Sequence, residues 1–102
     1  MKQVVVVFEF PGATLEQYDG VWNDLRKSGV HSPKGLISHV GAMKPNGELL
    51  VVDIWESEQA FKDFGNILMP LIAKNQLPVT STPLILPAHF VHLEEKQKMH
   101  AG

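Results

Sequence analysis

The sequence predicts an α+β domain of element order βαββαβ: one four-stranded antiparallel sheet with two helices on one face. Three observations predict it. Four stretches have strand character, at residues 3–10, 36–43, 49–55 and 84–93. Two capped amphipathic segments separate the first stretch from the second and the third from the fourth. A proline- and glycine-bearing turn, Lys44-Pro45-Asn46-Gly47-Glu48, joins the middle two as a hairpin. Right-handed crossovers around one hairpin lead to the ferredoxin-like arrangement.

Residues 3–10, QVVVVFEF, form a β-branched run apolar on both faces, the pattern of a strand buried on both sides. Pro11-Gly12 ends it. Thr14 with Gln17 three residues on fits a capping box, so a helix starts there. Leu15, Tyr18, Val21, Trp22 and Leu25 follow at helical spacing, and Gly29 is a suitable stop. Tyr18 and Trp22 lie on the apolar stripe and read as core residues. Leu36–Met43 and Leu49–Trp55 are the hairpin strands. Pro45 and Asn46 suit the type I positions of a three-residue loop and Gly47 the left-handed one. That register sets Lys44 against Glu48, Gly41 against Val51, His39 against Asp53 and Ile37 against Trp55. A two-residue turn would shift His39 to the other face.

Glu56 or Ser57 caps the second helix, with Glu58 in its first turn. Its stripe runs from Ala60 and Phe61 through Phe64, Ile67, Leu68 and Leu71 to Ile72. Pro70 lacks an N–H, so the helix is expected to bend or break between Asn66 and Pro70. Pro87 marks the last strand, Leu84–Leu93, as an edge or bulged strand. One domain is expected over residues 1–102, ending in a polar tail at 93–102 that should fray.

Side chains alternate along a strand, so Leu50, Val52 and Ile54 share one face of the third strand and Val51, Asp53 and Trp55 the other. The first set is expected against the helices. The second, with Ile37 and one side of the four-valine strand, is expected on the uncovered face. A second copy, sheet against sheet, would cover it and close a barrel, so a homodimer is expected.

The 102 residues suffice for one core. With 44% hydrophobic and 20% charged residues and a net charge of −2, no basic patch speaks for nucleic acid or an anionic membrane. The absence of cysteine excludes a disulfide scaffold, a thiolate nucleophile and thiolate-bound metal. The longest N-terminal apolar run, Val4–Phe8, is far short of a membrane span or signal-peptide core, so a cytoplasmic protein is expected.

The stretch Asp53-Ile54-Trp55-Glu56-Ser57-Glu58-Gln59-Ala60-Phe61 resembles the dimeric α/β-barrel superfamily, in particular its antibiotic-biosynthesis-monooxygenase-like group. That group often ends its third strand in acid-x-Trp, followed by a Ser-capped helix with an Ala. The resemblance implies a small dimeric barrel whose relatives include cofactor-independent oxygenases acting on polyketide-type phenols, haem-degrading enzymes and isomerases. Phe64 stands where many members place a histidine, and the helix has no histidine for haem. The polar strand asparagine of several oxygenases has no clear counterpart; His39 would occupy a similar place.

His39 and Asp53 form the sharpest candidate pair. An imidazole held by a carboxylate can act as a general base with its tautomer set by the acid; it can also be a buried pair that satisfies itself. Trp55 could wall an aromatic ligand, with Ile37 and Val51 beside it, or it could pack in a dimer interface. His89 would join them if it shared their face. His39, Asp53 and His89 would then offer two nitrogens and a carboxylate, but without a local metal motif; no metal and no cofactor is expected. His31, His92 and His100 read as solvated. Two functions follow. One is an enzyme acting on a small aromatic or enolisable molecule: His39 abstracts a proton, Asp53 orients it, and the carbanion meets dioxygen in a monooxygenase or is reprotonated in an isomerase. The other is a non-catalytic ligand-binding or dimerisation module.

Overall fold

The computed structural model describes residues 2–94, and His100 with most of the expected polar tail lies outside them. The elements are β1 (Val4–Phe10), α1 (Leu15–Lys27), β2 (Leu36–Met43), β3 (Leu49–Trp55), α2 (Glu58–Lys74) and β4 (Leu84–Pro87). The strands form one sheet in the order β2-β3-β1-β4, antiparallel at every pairing. This is the expected ferredoxin-like βαββαβ arrangement.

Local chemistry sets the element boundaries. The Thr14 hydroxyl accepts from the Gln17 amide while the Gln17 side chain accepts from the Thr14 amide, completing the capping box. The Ser57 hydroxyl caps α2 through the Ala60 amide. The hairpin has the expected three-residue loop. Gly47 lies at φ +86°, and the Lys44 and Gly47 amides donate to Glu48 O and Lys44 O, both at 2.8 Å. Lys44 bridges Glu48 at 3.2 Å. Gly41 therefore pairs with Val51 and His39 with Asp53.

Three expectations need correction. A bulge between Leu36 and Ser38 sets Leu36, not Ile37, against Trp55. The tight turn before β2, closed by the Leu36 amide on Pro33 O and with Gly35 at φ +87°, leaves the strand one residue out of step at its start. Helix α2 does not break at Pro70 but runs on to Lys74. Pro70 and Asn66 are both exposed, so water can satisfy the carbonyl that loses its helical donor. The last strand stops at Pro87, although it is an edge strand as expected.

The larger correction concerns the sheet faces. Leu49, Val51, Asp53 and Trp55 are the buried positions of β3, and they face the helices; Leu50, Val52 and Ile54 do not. The Trp55 indole is 1% exposed and meets the rings of Phe61 and Phe64 on α2, with centroids 5.9 and 5.4 Å away. The physical reason is size. Aromatic side chains fill the deep space between a sheet and helices, and Phe8, Phe10 and Trp55 all lie on one face. The other face is built from Val5, Val7, Val40, Val52 and Ile54, a flatter set that needs less depth. Alternation alone distinguished the two faces but did not say which the helices cover.

The ends of the helices are tied together. Asn75 Nδ2 donates to Asp24 Oδ2 at 3.0 Å and to Leu71 O at 2.9 Å. Its amide also lies where a Cβ on Gly20 would stand, so the small residue lets α1 approach the end of α2. The Asn75 hydrogen bond, helped by the Lys74 ammonium, holds the Asp24 carboxyl below its ordinary range. Replacing Asn75 by Ala should lower the urea midpoint at neutral pH. For a depressed carboxyl the contribution is present above about pH 3.8 and fades as pH falls through the folded-state value. The gap between wild type and Asn75→Ala should therefore close in acid. A gap that stays constant from neutral to strongly acidic pH would show that Asp24 is not the partner that matters.

Candidate functional site

The site grows out of the hairpin register. Because Gly47 closes a three-residue loop, His39 and Asp53 are direct cross-strand partners. Their Cβ atoms therefore stand within side-chain reach. His39 Nδ1 and Asp53 Oδ1 are 2.6 Å apart, and the other carboxylate oxygen accepts from Trp55 Nε1 at 3.1 Å. Asp53 is 9% exposed, so the two N–H donors replace the water it has lost. A carboxylate accepts only, which assigns the proton of His39 to Nδ1 and leaves Nε2 as an acceptor.

That acceptor is engaged. Tyr18, from α1, places its hydroxyl 2.6 Å from His39 Nε2. Trp22, one helical turn on, lies against the same imidazole with ring centroids 4.7 Å apart. The pair expected on the uncovered face is thus sandwiched between sheet and helix. The face correction for β3 carries it there, since His39 and Asp53 move together with Trp55. Gly41 completes the seat: a Cβ there would come within 2.5 Å of the Tyr18 oxygen and 2.7 Å of its Cζ. Only a residue without a side chain lets the phenol lie across β2.

Two spaces meet at these residues. An inner cavity of about 60 Å³ lies between sheet and helices, its wall including Val51, Asp53, Trp55, Leu36 and Phe64. At about 30 Å³ per water it has room for about two, whereas an apolar cavity of about 150 Å³ takes a benzene ring. On the outer side, Tyr18, Asp19, Trp22, Asn23, Arg26 and His39 line an open recess of about 480 Å³. That is within the range of small-ligand clefts. Tyr18, Trp22 and His39 belong to both spaces and form the partition between them.

Of the residues singled out in the sequence, His39, Asp53, Trp55 and Val51 come together. Ile37 sits in the bulge and Leu36 takes its place in the cavity wall. His89 is exposed beyond the end of β4 and lines neither space. With Pro87 ending the strand, it has no sheet face to share with His39. Among the described residues no group of three His, Cys, Asp or Glu side chains converges as metal ligands. Sequence reading missed Tyr18, Trp22 and Gly41 as site residues. The signal was present: two aromatics with polar tips at i and i+4, and a lone glycine inside a strand, which marks a close approach.

No family model matches the chain, and no curated protein matches it. Solved structures do. SnoaB, a cofactor-independent oxygenase from Streptomyces nogalater, aligns over 92% of this chain and 100% of its own, with a TM-score of 0.65 and 15% identity. A Streptomyces coelicolor monooxygenase, solved with nanaomycin D, aligns over 92% and 93%, with a TM-score of 0.57 and 20% identity. A Chloroflexus aurantiacus protein assigned to the antibiotic biosynthesis monooxygenases aligns over 88% and 96%, with a TM-score of 0.60 and 17% identity. What these proteins share with the chain is the fold. It is the ferredoxin-like fold that these monooxygenases have.

Two measurements check the site. Asp53→Ala leaves two N–H groups without their acceptor, at about 1–3 kcal/mol each, so a loss of about 2–6 kcal/mol is expected in urea unfolding. A cost below about 1 kcal/mol would place the carboxylate outside the core network. The second uses the fact that Tyr18 is the only tyrosine in the chain. Burial raises its phenol pKa above 10.0; the nearby charges of Asp53 and Asp19 add to this, and the Trp22 side chain opposes it. Alkaline ultraviolet titration should give one midpoint above 10.0. Since the folded value is raised, the stability it contributes is present below pH 10.0 and lost as pH rises through the folded midpoint. A midpoint at or below 10.0 would mean that the phenol is not held in this seat.

Proposed function

We propose that this protein binds a small aromatic or enolisable molecule and removes a proton from it without a cofactor, as a monooxygenase or an isomerase. The observation that carries the reading is the Asp53–His39 pair: a carboxylate fixed by Trp55 orients an imidazole in the wall of a ligand-sized recess. His39 ends with the substrate proton, and Asp53 stabilises the imidazolium across a 2.6 Å contact. Trp22 offers an aromatic surface beside His39, and Arg26, on the recess wall, supplies a positive charge near a developing phenolate or enolate. Solved relatives of the same fold include a cofactor-independent oxygenase, which fits this chemistry. If the resulting carbanion combined with dioxygen to a hydroperoxide, which takes up the proton and loses water to leave a quinone, the chain would be a monooxygenase; return of the proton at another carbon would make it an isomerase.

The test is oxygen uptake and product analysis with a panel of hydroxylated aromatics, comparing wild type with His39→Gln. Turnover should fall at least about a hundred-fold in the variant, the lower range for loss of a general base. Equal turnover in both proteins would sink the assignment. Ligand binding with no turnover by either would favour the non-catalytic binding module.

We also propose a homodimer joined through the sheet face that the helices leave uncovered. Val40, Leu84 and Leu86 are 54%, 55% and 44% exposed there, beside Val5, Val7, Val52 and Ile54. A second copy of the same flat apolar surface would cover it. Sedimentation at micromolar concentration should give a mass near twice 11.3 kDa. A charge at the centre of the face, Val52→Glu, should shift the mass toward one chain. A wild-type protein that sediments as a single chain would exclude this interface.

A further inference from the structure

We propose that Tyr18, rather than His39, meets the substrate, and that it relays the proton of a phenolic or enolic hydroxyl to His39 Nε2. The inference rests on the proton-abstraction reading above and names the group that carries out its first step. Both imidazole nitrogens are committed. Nδ1 donates to Asp53 at 2.6 Å, and Nε2 accepts from the Tyr18 hydroxyl at 2.6 Å. No ring nitrogen is left to take a proton directly from a ligand. The Tyr18 oxygen, in contrast, uses its hydrogen at His39 and accepts from the Trp22 side chain. Its second lone pair remains open to an incoming hydroxyl. Tyr18 also belongs to the wall of the recess, so a ligand held there can reach it.

The transfer balances. The substrate O–H bond breaks as its proton binds the Tyr18 oxygen. The Tyr18 O–H bond breaks in the same step as that proton binds His39 Nε2. The products are a substrate phenolate or enolate, an intact tyrosine, and an imidazolium hydrogen-bonded to the Asp53 carboxylate. Net charge is unchanged and no electrons are exchanged. Tyrosine never has to persist as an anion, which suits a phenol that burial and the Asp53 and Asp19 charges keep protonated. Gly41 is the positioning residue: its missing side chain is what brings the phenol over β2 to His39.

The test uses 4-nitrophenol, whose phenolate absorbs visibly and whose neutral form does not. Binding is followed by quenching of tryptophan fluorescence, and ionisation by the absorbance of the bound probe below its solution pKa. Wild type should raise the phenolate-to-phenol ratio of the bound probe about ten-fold over the free probe, equivalent to one pH unit. Tyr18→Phe and His39→Gln should each bind the probe and lose that gain. Gly41→Ala, which keeps every reacting group but displaces the phenol, should lose most of it and so supplies a second reading if Tyr18→Phe fails to fold. Full ionisation in Tyr18→Phe would reduce Tyr18 to a residue that merely holds the imidazole, and would overturn the relay while leaving His39 as the base. Ionisation retained in His39→Gln would overturn the proton-abstraction reading itself. No binding by wild type would overturn both.

Discussion

The carboxylate of Asp53 is the group on which the rest of the site depends. It lies between a sheet and two helices, a place where an unpaired charge would be prohibitive. It is tolerated because its two oxygens are satisfied by two different rings, His39 from the neighbouring strand and Trp55 from its own. Each contact fixes something further. The Trp55 bond anchors the largest side chain of the core against Phe61 and Phe64. The His39 bond sets the tautomer and turns Nε2 toward Tyr18. A chain of hydrogen bonds thus runs from the core tryptophan to a phenol at the edge of solvent, through one carboxylate and one imidazole.

Backbone features far from the chemistry hold this chain in register. A left-handed glycine at the hairpin tip decides which residues face each other across β2 and β3. A one-residue slip would send His39 to the opposite face. A second glycine, at Gly41, leaves room for Tyr18 to cross the strand. At the far end of the helices, Asn75 ties α2 to Asp24 on α1. The helix that supplies Tyr18 and Trp22 is therefore held both by apolar packing and by a polar contact. The aromatic partition between inner cavity and outer recess follows from all three. Under the proposed function, preorganisation of this kind would fix the base before a ligand arrives and avoid the reorganisation that water would need.

A single sheet serves two surfaces of different character. The face with Phe8, Phe10, Val51 and Trp55 is deep and aromatic and takes the helices. The face with Val5, Val7, Val40 and Val52 is shallow and β-branched. Placing the polar pair on the covered face means that the site can be complete within one chain. The uncovered face remains available for association, so the two roles do not compete for the same residues.

The element order, both helix caps, the hairpin loop and the His39–Asp53 pairing were legible in the sequence because each rests on local chemistry. A Thr and a Gln three apart, or a Pro-Asn-Gly triplet, specify backbone geometry within a few residues. Period-2 alternation likewise separated the two sides of β3. Which side meets the helices was not legible, because both sides are apolar and the choice depends on the depth of the whole layer. The partnership of Tyr18 with His39 was hidden for a related reason. Residues 21 positions apart meet only when the crossover lays α1 over β2, and no local pattern encodes that distance. His89 shows the converse: a sequence position gave it a strand, but the pairing ends at Pro87 and leaves it outside the site. The sequence by itself determined the elements and the register at the hairpin end of β2 and β3; the tertiary structure decided which face they bury, and with it where the candidate site lies.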